Sequence, residues 1–315
     1  MKLSIVVRAR NEAEHLPRLI YGLSQQTLQP DEVVLVDSGS NDETVKLAME
    51  AGWKVCHIDP EHFTFGKSLN IGCEAATGDI LVFMSAHVYP VRKDYLENLT
   101  RDLNTQDRTV VYGRQVGDSR TKFSERMIME QWFPSERITD QGHAFTNNAN
   151  SCVPRALWEE VRFDERLTGL EDIEFTLRVL ETGGEVRYAN DAPIVHVHEE
   201  RLAVVKNRYR REAIAYRLIF PGERMHASYA LRLFFRNVHR DLSQARKQRC
   251  LNRYFFEIIG FRAAQFLGAY SGFRAGLSQE TDLLRRMYHP TDSAVSGHLS
   301  GVSDTKIISY EEGKM

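Results

Sequence analysis

An α/β protein is expected, with a mostly parallel sheet between helices followed by a helical C-terminal region. Three observations predict it. Largely apolar runs of strand length, Leu3 to Val7, Glu32 to Val36 and Ile80 to Met84, recur with amphipathic helical segments between them, the alternation of a parallel sheet with crossover helices. These runs lack the alternation of a half-exposed strand, as strands buried on both faces do. From Arg201 onward the strand-like runs stop and helical periodicity takes over.

Taken in order, Leu3 to Val7 is apolar apart from Ser4, and Leu16, Leu19, Ile20 and Leu23 then share one helical face. Pro30 precedes the second strand. Thr44 to Ala51 reads as a helix closed by Gly52, where a left-handed cap is wanted. Trp53 to Ile58 is a third strand, and Ser68 to Ala76 a third helix closed at Gly78. The next strand runs into Ser85-Ala86-His87, and Pro90, which has no N–H to donate, is expected to stop further pairing. Beyond it, a helix is expected over Tyr89 to Leu103, a strand over Val110 to Arg114, and a helix or loop over Phe123 to Phe133. A polar loop (HAFTNNANS, His143 to Ser151), a segment from Leu167 to Val179 in which a helix starts at Glu171 and Asp172, and two short strands, Glu185 to Tyr188 and Ile194 to Val197, complete this part. The expected organisation is a catalytic α/β domain over 1–200, a basic helical region over 201–290 and a disordered polar tail over 291–315.

The overall charge, 41 Lys+Arg against 43 Asp+Glu, excludes a polyanion binder by bulk electrostatics, so no nucleic-acid partner is expected. The average conceals an asymmetry: Arg201 to Cys250 holds thirteen Lys/Arg against Glu212, Glu223 and Asp241. Cys56, Cys73, Cys152 and Cys250 lie far apart with no C-x-x-C pair, so reduced thiols are expected rather than a zinc ribbon or a disulfide framework. The N-terminus enters a strand pattern directly, and no stretch approaches the roughly eighteen apolar residues of a membrane span. A cytoplasmic location is expected.

Three strand ends carry polar clusters: Arg8 to Glu12, Asp37 to Asp42, and Ser85 to His87. In a parallel sheet such ends lie side by side, at the edge where open α/β folds bind ligands. At the middle cluster, Ser and Asn suit a helix-capping turn, while Asp37 can accept hydrogen bonds from a base or ribose and Gly39 lets a ligand come close. No G-x-G-x-x-G or Walker sequence stands at these turns, which argues against a dinucleotide site or a P-loop.

The segments SIVVRARNE (Ser4 to Glu12), VDSGSNDET (Val36 to Thr44), FGKSLNIGCEAATGD (Phe65 to Asp79) and GLEDIEFTLRV (Gly169 to Val179) together resemble a family 2 glycosyltransferase of the GT-A fold. The resemblance spans roughly the first 200 residues, in the family's order. It implies that Ala9, Asn11 and Glu12 flank the nucleotide base, that Asp37 contacts uracil or ribose, that Ser38, Gly39 and Ser40 shape the turn, and that Lys67 and Asn70 lie near the donor. Ser85 and Ala86 fall in the motif that ends the fourth strand. The family usually has Asp-x-Asp there, its last carboxylate holding a divalent metal. This chain has Ser-Ala-His, which puts His87 in the ligand position. Imidazole suits Mn²⁺, Zn²⁺, Co²⁺ or Fe²⁺ better than Mg²⁺, so Mn²⁺ is the favoured ion and Mg²⁺ the alternative.

Glu171 and Asp172 open a helix, where the dipole favours carboxylates, and capping alone would explain them. The resemblance assigns Asp172 as the base that deprotonates the acceptor hydroxyl in an inverting transfer, with Glu171 in reserve. In His196-Val197-His198, strand alternation puts both imidazoles on one face, able to reach one metal or phosphate. Since GT-A enzymes often complete the metal site with a late histidine, His198 is the second expected ligand and His196 the next choice. In the tail half, Leu231, Phe234, Phe235 and Val238 form one helical face and Arg232, Arg236 and Arg240 another. This suits either a solvated extension or a peripheral contact with anionic lipid.

The expected activity is therefore transfer from a nucleoside-diphosphate sugar to a saccharide or lipid-linked acceptor in surface polysaccharide synthesis. A UDP-sugar is favoured. Phe63 to Asn70 also resembles rhamnosyltransferase-like members, which would use dTDP-sugars. The rival readings are a catalytically silent nucleotide-sugar-binding protein and a nucleotidyltransferase. The latter would want an acidic metal site and a Gly-rich basic N-terminal loop, neither of which is present.

Overall fold

The computed structural model describes residues 1–101, 103–138, 141–275 and 306–310. The chain runs β1 (Leu3–Ala9), α1 (Leu16–Ser24), β2 (Glu32–Asp37), α2 (Thr44–Glu50), β3 (Lys54–His57), α3 (Phe65–Ala75), β4 (Ile80–Ser85), β5 (Val88–Pro90) and α4 (Tyr95–Thr100). It continues through β6 (Thr109–Val116), α5 (Phe123–Trp132), β7 (Asn150–Pro154), α6 (Arg155–Val161), α7 (Glu171–Glu181) and β8 (Glu185–His196) to α8 (Leu202–Ile219), α9 (Ala227–Lys247) and α10 (Leu251–Arg274). The eight strands form one sheet in the order β3-β2-β1-β4-β7-β6-β8-β5. β3, β2, β1 and β4 are mutually parallel, as are β6 and β8, while β7 and β5 pair antiparallel with their neighbours.

Alternation along the strands builds two cores. Ile5, Val7, Leu35, Val82 and Met84 face α1 and α4 through Leu16, Leu19, Leu96 and Leu99. Val6, Val34, Val36, Leu81 and Phe83 face α3, α6 and α7 through Leu69, Cys73, Leu157, Trp158, Phe175 and Val179. α3 lies so close to the sheet that a Cβ on Gly72 would stand 2.3 Å from Val6 Cγ1. Only glycine fits there.

Beyond β8 the three helices form a packed unit anchored on α5. Arg262 of α10 and Asp241 of α9, both fully buried, pair at 2.7 Å, and Arg262 also donates to the Ser124 carbonyl. The Phe123 N–H donates to Glu257 Oε1. α9 turns small residues, Ala230 and Ala245, inward, and Leu231 and Phe235 stand 57% and 64% exposed beside exposed Arg232, Arg236 and Arg240. The apolar side chains Leu231 and Phe235 thus share the solvent side with the arginines.

The outline of strands and helices follows the expected fold class, with local corrections. Pro90 does not end pairing: β5 is an edge strand bonded to β8 on one side, where proline is tolerated. The helix expected from Tyr89 begins only at Tyr95, because Val88 to Pro90 is strand. The two short strands expected near residue 190 are one strand, β8, whose register against β6 shifts between Gly113/Ala189 and Gln115/Ile194. Of the tail expected to be disordered, 306–310 lie against the sheet edge, with Ile308 donating to the Val91 carbonyl and the Tyr310 hydroxyl to that of Pro90. The rest of that tail lies outside the described residues. All four cysteines are free thiols. No helix among the described residues is long and apolar enough to cross a membrane.

Candidate active site

The carboxyl ends of β1 and β4, the start of α7, the end of β8 and one face of α8 surround an open cleft of about 420 Å³. Arg8, Glu12, Phe65, Ser85, His87, Asn148, Glu171, Asp172, His196, His198, Arg208 and Arg211 line it.

Three imidazoles meet on one wall. Val88 of β5 pairs with His196, and the Val197 N–H donates to the His87 carbonyl, which brings the end of β4 against the end of β8. The rings of His87 and His196 stack at 5.0 Å, and His196 Nε2 lies 2.9 Å from His198 Nε2. Ligand nitrogens of all three lie within 4.8 Å of one another. Each ring is held from behind through Nδ1: His87 by Glu12 Oε1 at 2.8 Å, His196 by Gln115 Oε1 at 2.7 Å and His198 by Glu125 Oε1 at 2.6 Å. Burial opposes charge on His87, but the Glu12 carboxylate outweighs it and the net shift is upward. Burial together with the adjacent His198 and His87 pushes His196 well down. Burial also opposes charge on Glu125, yet Arg208 at 2.6 Å and His198 hold it at about 2. Its second oxygen, Oε2, is buried without a hydrogen-bond partner among the described residues.

Two carboxylates line the same cleft. Leu170 precedes α7 with φ 57° and ψ 24°, a left-handed conformation costly for a branched side chain and typical of functional turns. It sets Glu171 and Asp172 at the helix mouth. Glu171, nearly buried, pairs with Arg8 Nη1 at 3.0 Å, and the Arg8 guanidinium lies 4.7 Å from the centre of the Phe65 ring. Asp172 accepts from the backbone N–H of Ile173 at 2.9 Å and of Asn148 at 3.3 Å. Desolvation, and then the neighbouring Glu171 charge, push its carboxyl up to about 7. A carboxylate poised there can both accept and hold a proton near neutral pH.

Residues 4–158 match the profile described as glycosyl transferase family 2. That stretch is a family 2 glycosyltransferase domain. Over 211 residues, 63% of the chain, it is 25% identical to the O-antigen chain rhamnosyltransferase RfbN of Salmonella typhimurium, of which the match covers 67%. The first curated relatives are matched over 56% to 67% of their own length. Among solved structures, the mannosyltransferase PcManGT of Pyrobaculum calidifontis, in complex with GDP-Man and Mn²⁺, superposes with a TM-score of 0.61 at 16% identity, covering 86% of each chain. A fragment of S. aureus TarS with UDP-GlcNAc does so with a TM-score of 0.51 at 16% identity, over 91% of this chain and 90% of that one. These neighbours share their fold with this chain.

Within the glycosyltransferase domain the expected donor residues divide into groups. Asn11, with φ 53°, accepts from the Asn41 N–H and donates its own N–H to Ser40 Oγ, so the first two strand ends are tied together. Asp37 is 3% exposed and accepts from the N–H groups of Gly39 and Ser40, where Gly39 has φ +86°. Its carboxylate therefore builds the turn. Ser38 and Ala9 are buried and bonded to each other through the Ala9 carbonyl. Ser85 lines the cleft, while Ala86 sits in the core. Glu12 is placed at His87.

Asn70 is engaged within the protein. Its amide donates to the Phe163 carbonyl and Glu165, and accepts from Trp158 Nε1 and the Phe163 N–H, at 2.9 to 3.1 Å. At 3% exposure it is fully committed to holding α3 against α6 and the loop after it. Lys67 is half-buried on α3 and does not line the cleft. Gln115, Glu125, Arg208 and Arg211 carried no site signal of their own in the sequence, and Arg8 stood out only as the first residue of a polar strand end. Arg208 and Arg211, one helical turn apart on α8, carried a signal only in the general excess of basic residues after Arg201.

Proposed function

We propose that this glycosyltransferase moves a sugar from a nucleoside-diphosphate donor to an acceptor hydroxyl with inversion, and that Asp172 is the base. The acceptor O–H proton passes to Asp172 as the oxygen bonds to the anomeric carbon. The bond from that carbon to the diphosphate oxygen breaks, and the nucleoside diphosphate leaves with the electron pair. The observation that carries the reading is a carboxylate pushed up to about 7 in the cleft that three imidazoles, Arg208 and Arg211 also line. Asn148, whose Nδ2 is buried without a partner among the described residues, offers a donor to an acceptor hydroxyl. Glu171, fixed by Arg8, raises the proton affinity of the Asp172 carboxylate.

The imidazoles fit a divalent ion: their Nδ1 atoms are engaged from behind, and one ligand nitrogen of each lies within 4.8 Å of the others. His87 and His198 would hold it, and the ion would supply positive charge to the departing diphosphate. The turn of Asp37, Ser38, Gly39 and Ser40, with Asn11 and Ala9, forms the floor proposed for the nucleoside. A UDP-sugar remains the favoured donor. The rhamnosyltransferase relative supports a dTDP-sugar as the alternative and a saccharide or lipid-linked acceptor of a surface polysaccharide. Exposed Leu231 and Phe235, interleaved with three arginines on α9, support peripheral contact with an anionic membrane.

A panel of UDP-, dTDP- and GDP-sugars, assayed for nucleoside-diphosphate release with Mn²⁺, tests the reading. One donor turned over by the wild type, and bound but not turned over by Asp172→Asn, is expected. Binding with no turnover by the wild type on any acceptor tried would favour the silent binding protein.

A further inference from the structure

We propose that His87, His196 and His198 act as one three-imidazole centre for a divalent transition ion, with Glu12, Gln115 and Glu125 fixing their tautomers, and that the centre loads without nucleotide and discriminates against Mg²⁺. The proposal deepens the metal reading above and rests on the same cleft.

Hydrogen-bond chemistry determines the tautomers. A carboxylate only accepts, so Nδ1–H of His87 donates to Glu12 and Nδ1–H of His198 donates to Glu125. Gln115 spends its amide N–H on Asn147 Oδ1 at 2.9 Å, which turns its Oε1 toward His196, so His196 Nδ1 is also the protonated nitrogen. In each neutral ring the lone pair is then on Nε2. Two of those Nε2 atoms, in His196 and His198, face each other at 2.9 Å, where two lone pairs repel unless a proton or a cation lies between them. A carboxylate or amide behind each ligand histidine is the arrangement that fixes ring orientation and raises ligand basicity in metal sites.

The scaffold is rigid as well. His196 ends β8 and is buried, His87 follows β4, and the pairing of β5 with β8 fixes the distance between them. Gln115 comes from β6 and Glu125 from α5, so five elements converge on the three rings. Glu125 is itself held by Arg208. An all-nitrogen face suits Co²⁺ and Zn²⁺, accepts Mn²⁺ more weakly, and gives Mg²⁺, which wants oxygen ligands and keeps its waters, little to bind. The site His87 would complete with His198 alone thereby gains a third protein ligand in His196, and with it affinity in the absence of donor phosphates.

The test is titration of the full chain, free of nucleotide, with Co²⁺ followed by its visible d–d absorption, and with Zn²⁺, Mn²⁺ and Mg²⁺ by calorimetry. One ion per chain is expected, with Zn²⁺ and Co²⁺ tighter than Mn²⁺ and Mg²⁺ weakest. His196→Ala should weaken Co²⁺ binding and change its spectrum. Glu12→Gln, which leaves every ligand in place, should cost about 10- to 100-fold in affinity, with circular dichroism confirming the fold of both variants. Unchanged Co²⁺ affinity and spectrum in His196→Ala, or Mg²⁺ binding as tight as Co²⁺, would overturn the centre. Donor binding measured on the same samples separates the two readings. Ion binding without any nucleotide-sugar binding would sink the transfer reading and leave the centre intact, while donor binding without Co²⁺ affinity would do the reverse.

Discussion

If Asp172 is the base, the rate must titrate with it. Its carboxyl is pushed up to about 7, first by desolvation and then by Glu171, so the carboxylate is present above that pH and lost as pH falls through it. With a pKa near 7 the ionised fraction rises about tenfold between pH 6 and pH 8, whereas an unperturbed aspartate near 3.9 would change by less than about 1%. kcat/KM for transfer should therefore fall about tenfold from pH 8 to pH 6, and Asp172→Asn should lose on the order of 10² to 10⁴ in rate, equivalent to about 3–5 kcal/mol of barrier. Glu171→Gln removes the second cause of the shift, and the acidic limb should then move to lower pH. Initial rates of nucleoside-diphosphate release across pH 5.5 to 9, for the wild type and both variants, provide the assay. A flat wild-type profile, or an acidic limb unmoved in Glu171→Gln, would refute the reasoning.

Two further outcomes follow from the packing. Asn70→Ala strands the Trp158 indole N–H and the Phe163 N–H in the core, and at about 1–3 kcal/mol for each buried group left unpaired it should lower unfolding stability in urea by about 3 kcal/mol or more; a loss under about 1 kcal/mol would contradict the pinning role. The protein should sediment with phosphatidylserine-containing vesicles but not with neutral ones, release at high salt, and lose binding in Leu231→Asp/Phe235→Asp; equal binding to neutral vesicles would contradict the membrane face.

Much of the fold could be read from the chain because three strands are largely apolar runs, and a buried parallel strand has no other need than apolarity on both faces. Legibility failed where pairing depends on position in the sheet. Pro90 is compatible with strand only because β5 lies at an edge, and β8 hides behind Asn190-Asp191-Ala192-Pro193, which reads as a turn but is carried as a register shift. At the site, local chemistry brought His87, Asp172, His198 and His196 into view, since each stands at or within two residues of the end of an element. Their partners were hidden because they come from far away in sequence: Glu12 meets His87 across 75 positions, Gln115 meets His196 across 81, and Glu125 meets His198 across 73. The partners of Asn70 were hidden for the same reason. A polar residue in a motif says nothing about whether its hydrogen bonds face a ligand or a neighbouring helix.

The central claim, that a single carboxylate base on α7 drives a direct displacement, is tested most directly by proton NMR of the product as it forms. A new glycosidic bond of anomeric configuration opposite to that of the donor is predicted from the first turnovers; a product that keeps the donor's configuration would contradict the account.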